Sequence, residues 1–308
     1  MSTSHIPVLY QEVLTALRPQ AQALFIDGTL GAGGHTEGLL AAAAETRVLA
    51  FDRDPEAIRF VQERLAPYGD RLTLVNHNFA DMGGVAPGQG FGQVDGILLD
   101  LGLSSRQLDS HERGFSFRFA AALDMRFDPT KGQSAADLIN NLSEAELADI
   151  IWRYGEERQS RKVAQAIVRA RPLQTTSQLA DLVAQVIKRP KGRSHIHPAT
   201  QIFQALRIAV NDELGALERG LQSAVELLKP GGRLAVISFH SLEDRIVKQF
   251  MRDRSATTIA TPDDPYRAHQ PINPSLRLVT PKPITATEAE ITQNPRSRSA
   301  KLRVAEKV

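Results

Sequence analysis

Short apolar runs alternate with helical patterns over the first hundred residues, and this alternation constrains the fold more than any other feature of the chain. Runs at residues 23–26, 47–51, 72–75 and 94–99 predict strands, and the stretches after the first two predict helices. The fourth run is almost entirely apolar, which is typical of a strand buried on both faces. Strands that alternate with helices indicate βαβ units, so the sequence predicts an α/β fold with a mostly parallel sheet.

The alternation stops after the fourth predicted strand. From Arg106 to about His195 the chain shows helix signals and no convincing buried strand. One such signal is the capping box that begins at Ser143, which apolar residues at helical spacing follow. The stretch therefore predicts a helical insert of residues 109–195 within a discontinuous α/β domain of residues 1–108 and 196–308.

Beyond the insert the α/β pattern returns. Apolar residues from Phe203 to Leu228 are spaced three or four apart and predict one long amphipathic helix, which a turn at Lys229–Gly232 should end. Residues 234–239 predict a fifth strand and residues 300–305 a last one. Residues 255–293 are rich in Pro and Thr, which favours a loop.

A glycine-rich turn lies between the first predicted strand and the helix after it. The turn runs from Asp27 to His35, and its glycines let the backbone approach a ligand closely at the switch point of an open sheet. Asp52 follows the second predicted strand, 21 residues after Gly31, where a carboxylate can accept hydrogen bonds from ribose hydroxyls. Together the turn and the acid predict a site for a nucleotide-like ligand.

The glycine pattern narrows the identity of that ligand. The dinucleotide-binding fingerprint needs a glycine where Thr36 stands, and no Gly-Lys-Ser/Thr sequence marks a P-loop. Asp27-x-x-x-Gly31-x-Gly33 is instead similar to the first motif of S-adenosylmethionine-dependent methyltransferases. A nicotinamide-dependent oxidoreductase is the rival enzyme class, and the glycine pattern disfavours it.

Composition excludes several other classes of protein. The 308 residues include no cysteine, which excludes disulfides, thiolate zinc sites and cysteine nucleophiles. No apolar run approaches the length of a membrane-spanning helix, and the N-terminus lacks the basic start and apolar core of a secretory signal. We therefore expect a soluble, cytoplasmic protein that does not contact a membrane.

The basic residues are unevenly distributed along the chain. The formal net charge is only +2, but Arg153–Arg193 holds ten Lys and Arg against three acids, and Pro265–Val308 holds eight against three. Two basic regions on a nearly neutral chain favour a polyanionic partner, of which nucleic acid is the usual one. A solvated helix face and a charged tail would give the same counts.

Six further strings of residues occur in a specific order. They are Asp95–Asp109 (DGILLDLGLSSRQLD), Glu112–Phe117 (ERGFSF), Leu123–Asp128 (LDMRFD), His197–Thr200 (HPAT), Ile237–Arg245 (ISFHSLEDR) and Asn294–Ser299 (NPRSRS). In this order they resemble the bacterial small-subunit (16S) ribosomal RNA cytosine-N4 methyltransferase family. The resemblance runs from about His5 to Ala305 and is weaker over residues 255–293.

The resemblance implies a class I, Rossmann-like methyltransferase fold, S-adenosylmethionine as the cofactor and an insert that recognises the substrate. It also implies methylation of N4 of a cytosine in the decoding region of 16S ribosomal RNA, with the small ribosomal subunit as the partner. The residues that match the family's cofactor site are Gly33, Gly34, His35, Asp52, Phe79, Asp100 and Gln107. A plain core position is the less favoured alternative for Phe79, whereas His35 could equally be a helix N-terminal histidine without a special role.

The expected reaction requires the protein to align its reactants and requires no covalent catalysis. The sulfonium methyl group is already activated, so the protein must align it with the amine and exclude water. The exocyclic amine of cytosine is a weak nucleophile. A hydrogen-bond acceptor near its N–H groups would help the nitrogen to attack the methyl group. Many amino-methyltransferases carry Asp/Asn-Pro-Pro-aromatic after the fourth strand for this purpose, but this chain reads DLGLSS from Asp100 to Ser105. Asp100 is the candidate acceptor by position, although it also matches the cofactor site.

Aromatic and basic residues of the insert favour a surface for single-stranded RNA. Phe115, Phe117, Phe119 and Tyr154 lie among charged residues, and such rings commonly stack on bases. Trp152 also lies among these charged residues, but for its side chain a position in the core is favoured over stacking on a base. The candidate contacts with RNA phosphates are Arg113, Arg126, Arg296 and Arg298.

Three alternatives are disfavoured. Ser238, His240 and Asp244 have the residue types of a hydrolase triad, but the chain has no Gly-x-Ser-x-Gly elbow. His195 and His197 alternate as metal ligands can, yet no third ligand is evident, so no metal is expected. A ribosome-assembly factor that binds cofactor and RNA without catalysis is the non-enzyme alternative.

Overall fold

The first hundred residues form the alternating strands and helices that their pattern predicts. The computed structural model describes residues 7–110, 112–188, 197–261 and 264–308 of the chain. Its first elements are α1 Tyr10–Leu17, β1 Leu24–Asp27, α2 Gly34–Ala42, β2 Arg47–Phe51, α3 Pro55–Arg64, β3 Leu72–Val75, α4 Met82–Val85 and β4 Val94–Asp100. The four predicted strands are confirmed, and α1 is an addition that the pattern does not predict.

Between β4 and β5 the regular elements of the described residues are helices. They are α5 Ser105–Asp109, α6 Ala135–Asn141, α7 Glu144–Gly155, α8 Ser160–Ala170, α9 Thr176–Val186, α10 Ala199–Asn211 and α11 Glu213–Leu227. Within the described part of this stretch, β-type pairing is limited to an isolated bridge between Ala122 and Thr175. The expectation of helices without a buried strand is confirmed there. No helix in the described ranges is both long and apolar enough to cross a membrane.

Strands return after α11. The remaining elements are β5 Leu228–Ser238, α12 Ser241–Arg254, β6 Thr258–Thr261, β7 Asp264–Pro271, β8 Leu276–Leu278, β9 Ile284–Thr285, α13 Glu288–Gln293 and β10 Lys301–Lys307. The loop predicted for residues 255–293 is therefore wrong. β6 and β7 form a separate two-stranded ribbon, while β8 and β9 pair with β10. β8 and β9 have only three and two residues, too few for an alternating strand pattern to stand out in the sequence.

The main sheet has the strand order β3-β2-β1-β4-β5-β10-β8, with β9 also paired to β10. The strands from β3 to β5 in this order are parallel. β10 runs antiparallel to β5, β8 and β9. The predicted α/β fold with a mostly parallel sheet is confirmed. The order reverses between β1 and β4, and a ligand crevice lies outside the carboxyl ends of the strands at such a switch point.

Both faces of the sheet are buried. This packing holds in place the strands whose ends border the crevice. Ile97 and Leu99 of β4 belong to one apolar cluster, and Leu98 belongs to a second. All three side chains are fully buried. Because successive side chains of a strand point to opposite faces, burial on both sides requires the nearly unbroken apolar sequence of β4.

Contacts divide the chain into two units. The sheet unit comprises Met1–Gly102 and Ala216–Val308, and the helical unit comprises Leu103–Gly215. The helical unit extends beyond the predicted insert of 109–195 because it includes α10. The apolar side chains of α10, such as that of Leu206, lie in the buried core of the helical unit. The predicted boundaries are therefore too narrow.

The apolar stripe from Phe203 to Leu228 belongs to two helices rather than to the one predicted. Asp212 has a left-handed conformation, with φ 49°, and separates α10 from α11. Asp is among the residues that enter this region at least cost. A salt bridge of 2.8 Å between Arg207 and Glu213 spans the break. The predicted interruption at Lys229–Gly232 is present: α11 ends at Leu227, and these four residues lie between the pairs Val94–Leu228 and Gly96–Arg233 as an irregularity within β5, with a φ of 82° at Gly231.

Candidate active site

Asp27 anchors the glycine-rich turn between β1 and α2. Its Oδ2 accepts a hydrogen bond from Thr36 Oγ1 at 2.7 Å, and its Oδ1 accepts one from the backbone N–H of Thr29 at 3.0 Å. The side chain is buried, and this burial raises the pKa of the Asp27 carboxyl. One carboxyl group therefore ties both ends of the turn together.

Two glycines of the turn have left-handed backbone conformations. The φ angle is 52° at Gly31 and 79° at Gly33, values that favour glycine. A Cβ on Gly33 would also lie 3.0 Å from the Val61 methyl groups. Gly33 directly precedes the first turn of α2, which Gly34 and His35 begin. The turn thus requires glycine for its conformation and for the close approach of α3.

Asp52 follows β2 and contacts the same turn. Its Oδ2 accepts the backbone N–H of Gly31 at 2.8 Å, and its Oδ1 accepts that of Asp54 at 2.8 Å. Desolvation raises the pKa of Asp52 to about 7; the carboxylates of Asp54 and Asp27 add to the increase, and the two backbone hydrogen bonds oppose it. A carboxyl group with a pKa near neutrality can lose its proton when a ligand donates to it.

Asp100 and His35 meet where β4 ends and α2 begins. The backbone N–H of Asp100 donates to Thr29 Oγ1 at 2.6 Å. His35 Nε2 lies 3.6 Å from Asp100 Oδ2, and the His35 ring stacks on Tyr10 with 6.2 Å between centroids. Among the described residues, both ring nitrogens of His35 and Oδ1 of Asp100 are buried without a hydrogen-bond partner. Buried polar atoms without partners are rare and costly, so these three atoms suit the polar groups of a ligand.

Phe79 follows β3 in a short 3₁₀ turn, Phe79–Asp81. Its side chain is half-buried and packs on two glycines. A Cβ on Gly28 would lie 3.0 Å from Phe79 Cβ, and one on Gly220 of α11 would lie 2.5 Å from the ring. The ring also borders the apolar core of the sheet unit. One part of Phe79 is therefore a core contact, and the exposed part is accessible to a ligand.

Gln107 differs from the other predicted cofactor residues because it belongs to the helical unit. It lies in α5, is buried, and forms a capping box with Ser104. Gln107 Oε1 accepts the backbone N–H of Ser104 at 3.1 Å, and Ser104 Oγ accepts that of Gln107 at 3.2 Å. Its amide oxygen thus has a local structural role, and its contact with a cofactor stays a prediction.

The four arginines predicted to contact RNA have different surroundings. Arg113 donates to two backbone carbonyl oxygens of its own loop, at 3.0 and 2.8 Å. Arg126 forms a bidentate pair with Asp124, with 2.6 Å between Nη2 and Oδ2. Arg296 is half-buried and Arg298 is exposed, both in the 3₁₀ turn before β10. The first two arginines therefore hold a loop of the helical unit, whereas Arg298 extends into solvent.

The aromatic side chains of the helical unit occupy different environments. Phe115 is buried and Phe117 half-buried. Phe119 is 47% exposed and Trp152 is 55% exposed. The prediction that Trp152 lies in the core is wrong, because this side chain lies beside the buried stripe of α7 rather than on it. Ile151, one position earlier, is fully buried.

Side chains that resemble a hydrolase triad or a metal site have other partners. The Asp244 carboxylate pairs with two basic residues of β10, of which Arg303 is the nearer at 2.7 Å. His197 Nδ1 accepts the backbone N–H of Ala199 at 3.2 Å. His195 lies outside the described residues. Asp244 thus serves the packing of α12 on β10 rather than a histidine.

Three residues that shape this site are not predicted from the sequence. Thr29 joins the glycine-rich turn to the end of β4, and Thr36 donates to Asp27. Both lie in or directly after the turn, so their position in the motif is a usable signal. Tyr10 stacks on His35 from α1, and nothing in the sequence around Tyr10 indicates that contact.

Comparison with known proteins finds relatives over nearly the whole chain. The family model described as the MraW methylase family matches residues 2–308. A protein named ribosomal RNA small subunit methyltransferase H from Methylobacterium sp. (strain 4-46) is 53% identical over 307 residues, which cover 98% of this chain and 90% of that protein. A protein of the same name from Geotalea uraniireducens (strain Rf4) is 51% identical over 308 residues, which cover 99% of this chain and 98% of that protein.

Proposed function

Because this chain belongs to the MraW methylase family, we propose that it transfers a methyl group from S-adenosylmethionine to N4 of a cytosine in the decoding region of 16S ribosomal RNA. Relatives named for methylation of small-subunit ribosomal RNA support this substrate. We expect the small ribosomal subunit as the partner and the cytoplasm, where that subunit is assembled, as the location. The observation that carries the proposal is the His35–Asp100 pair beside the glycine-rich turn, with three buried polar atoms that have no hydrogen-bond partner among the described residues.

The residues of the crevice fit the cofactor. When bound, S-adenosylmethionine supplies an activated methyl group. We assign its binding to Gly33, Gly34, His35, Asp52, Phe79 and Asp100, with Gln107 as a further prediction. In this assignment Asp52 accepts hydrogen bonds from ribose hydroxyls, the exposed part of Phe79 lies against the adenine, and the glycines keep the backbone close to the ligand.

The chain's part in the reaction is to bind, align and exclude water. Asp100 is the candidate acceptor for the N–H groups of the cytosine amine, because its unpartnered Oδ1 lies at the end of β4. The Pro-Pro-aromatic sequence that accompanies a dedicated acceptor is missing after Asp100. We therefore assign Asp100 first to the cofactor and only second to the amine.

We assign substrate recognition to the helical unit, Leu103–Gly215, together with the basic turn before β10. Arg296 and Arg298 remain the candidates for contacts with RNA phosphates. Arg113 and Arg126 already donate within their own loop, so their contribution is to hold that loop.

Mass spectrometry of ribosomal RNA nucleosides tests the proposal. Cells without the gene should lack one N4-methylated cytidine of 16S ribosomal RNA, and the wild-type gene should restore it. Purified protein should also methylate subunits from those cells. Restoration of subunit assembly without methyl transfer would support the assembly-factor alternative, and tighter binding of NADH than of S-adenosylhomocysteine would support the oxidoreductase.

A further inference from the structure

The exposed side of α8 carries cations without acidic partners. The helix contains Arg161, Lys162 and Arg169 and no acidic residue. All three side chains are exposed. None of the three forms an ion pair within the part of the chain that the structure describes, whereas Arg153 of the neighbouring α7 pairs with Asp149 at 2.9 Å.

An open groove of about 530 Å³ lies between α8 and α9, next to two of these cations. Its apolar lining consists of Ala166, Ala170, Leu182 and Val186. Lys162, Gln165 and Arg169 line the α8 side. The groove therefore combines an apolar floor with a polar, positively charged edge, and all of its lining residues belong to the helical unit.

We propose that this groove binds a single-stranded segment of the substrate RNA, a proposal that rests on the function proposed above. Arg161, Lys162 and Arg169 contact phosphates, and the apolar floor receives an unstacked base. Lys162 and Arg169 are seven residues apart on one helix, about 10 Å along its axis, so they meet different phosphates of one extended strand. RNA is favoured over a protein partner because the three cations form no ion pair with any described residue and α8 offers no acid to a basic partner.

Removal of charge from the groove tests this assignment. The variant Arg161→Gln/Lys162→Gln/Arg169→Gln keeps residues that favour a helix and removes three charges. We expect KM for small ribosomal subunits to rise at least about tenfold, with kcat and S-adenosylhomocysteine affinity unchanged. If all three cations contact phosphates, the slope of log K against log salt for protein-free 16S ribosomal RNA falls by about 2, at about 0.7 for each contact with a single strand.

A matched control removes the same charge from the sheet unit. Arg18, Arg59 and Lys248 are exposed and have no ion pair in the described ranges, so the variant with Gln at all three positions lowers net charge equally. We expect its KM to change less than about threefold. Equal behaviour of the two triple variants would overturn the groove assignment while wild-type methyl transfer left the proposed function intact.

A second comparison separates RNA from a protein partner. If the α8 variant binds protein-free 16S ribosomal RNA as tightly as the wild type but binds intact subunits more weakly, the groove contacts a ribosomal protein and the proposal is wrong. Equal loss with both substrates supports it. Circular dichroism of each variant verifies that the helices remain folded. If the wild type methylates neither substrate, the proposed function itself fails, and this outcome differs from every outcome above.

Discussion

The imidazole of His35 lies 3.6 Å from the carboxylate of Asp100, measured from Nε2 to Oδ2. The two residues come from different βα units, His35 from the first turn of α2 and Asp100 from the end of β4. Because parallel strands end at the same edge of the sheet, residues distant in sequence meet there. Both ring nitrogens of His35 and Oδ1 of Asp100 lack hydrogen-bond partners among the described residues. Substitutions of this pair should therefore change cofactor affinity and the rate of methyl transfer by different amounts.

The substitution Asp100→Asn should separate those two effects. It preserves the size of the side chain and one oxygen acceptor but removes the charge. We expect S-adenosylhomocysteine affinity to fall at least about tenfold, since hydrogen bonds to charged groups contribute about 1.5–3 kcal/mol. Single-turnover rates at saturating S-adenosylmethionine should fall less than tenfold. Calorimetry and rapid quench measure the two quantities.

Asp70→Asn is the control for Asp100→Asn, because Asp70 is an exposed carboxylate of the same unit. It should change neither quantity. A rate loss beyond tenfold for Asp100→Asn, with unchanged cofactor affinity, would instead identify Asp100 as the acceptor for the cytosine amine. Electrostatic contributions of that kind are typically worth about 10²–10³ in rate.

Adjacent residues of α7 should differ sharply in their effect on stability. Ile151 is fully buried, whereas Trp152 is 55% exposed. Ile151→Ala should lower the free energy of unfolding by about 2–5 kcal/mol through lost burial and a cavity. Trp152→Ala should lower it by less than about 1 kcal/mol. Urea unfolding followed by circular dichroism compares them, and similar losses would contradict the exposed position of Trp152.

Gly114 should tolerate no side chain. Its φ is 70°, and an added Cβ would overlap the Ala122 carbonyl oxygen and lie 2.9 Å from the Asp124 nitrogen. Gly132 has a φ of 73° but no atom within 4 Å of an added Cβ. Gly132→Ala should therefore cost only the left-handed strain, about 1–2 kcal/mol. Gly114→Ala should cost about 3 kcal/mol or more because backbone must also move. Equal midpoints in urea would refute the predicted overlap.

Local patterns predict the strand ends at which the candidate cofactor residues stand. The apolar runs locate β1, β2 and β4, so Asp27, Asp52 and Asp100 follow as the residues at or just after their ends. Contacts between side chains of different elements cannot be predicted from these local patterns. The approach of Tyr10 to His35 depends on how α1 packs on α2, and no spacing within either helix encodes it.

The errors have physical causes as well. Apolar spacing continues across Asp212 because one left-handed residue hardly alters the order of apolar and polar side chains. The large apolar side chain of Trp152 favours a core position, but its place on the helix does not. The helical period through Leu147 and Ile151 leaves Trp152 off the buried stripe, so periodicity predicts its exposure correctly.

The Asp52 carboxyl predicts a specific dependence on pH. Its pKa is raised to about 7, chiefly by burial, from an ordinary value of 3.8. The folded state thus holds this proton more tightly than the unfolded state. Between about pH 4 and pH 7 the contribution of Asp52 to the free energy of unfolding should therefore decrease as pH rises. A ligand whose ribose hydroxyls donate to Asp52 favours the ionised form.

Binding of S-adenosylhomocysteine should consequently weaken as pH falls through 7. If only the ionised carboxyl group accepts the ribose hydroxyls, Kd rises by about tenfold for each pH unit below the pKa. Asp52→Asn has nothing to ionise, so it should bind more weakly at pH 8 and lose this dependence. Calorimetry from pH 5.5 to 8.5 tests both variants side by side, because Asp27 and His35 are present in each and cancel in the comparison. An equally steep pH dependence in Asp52→Asn would assign the proton to another group and remove Asp52 from the ribose contact.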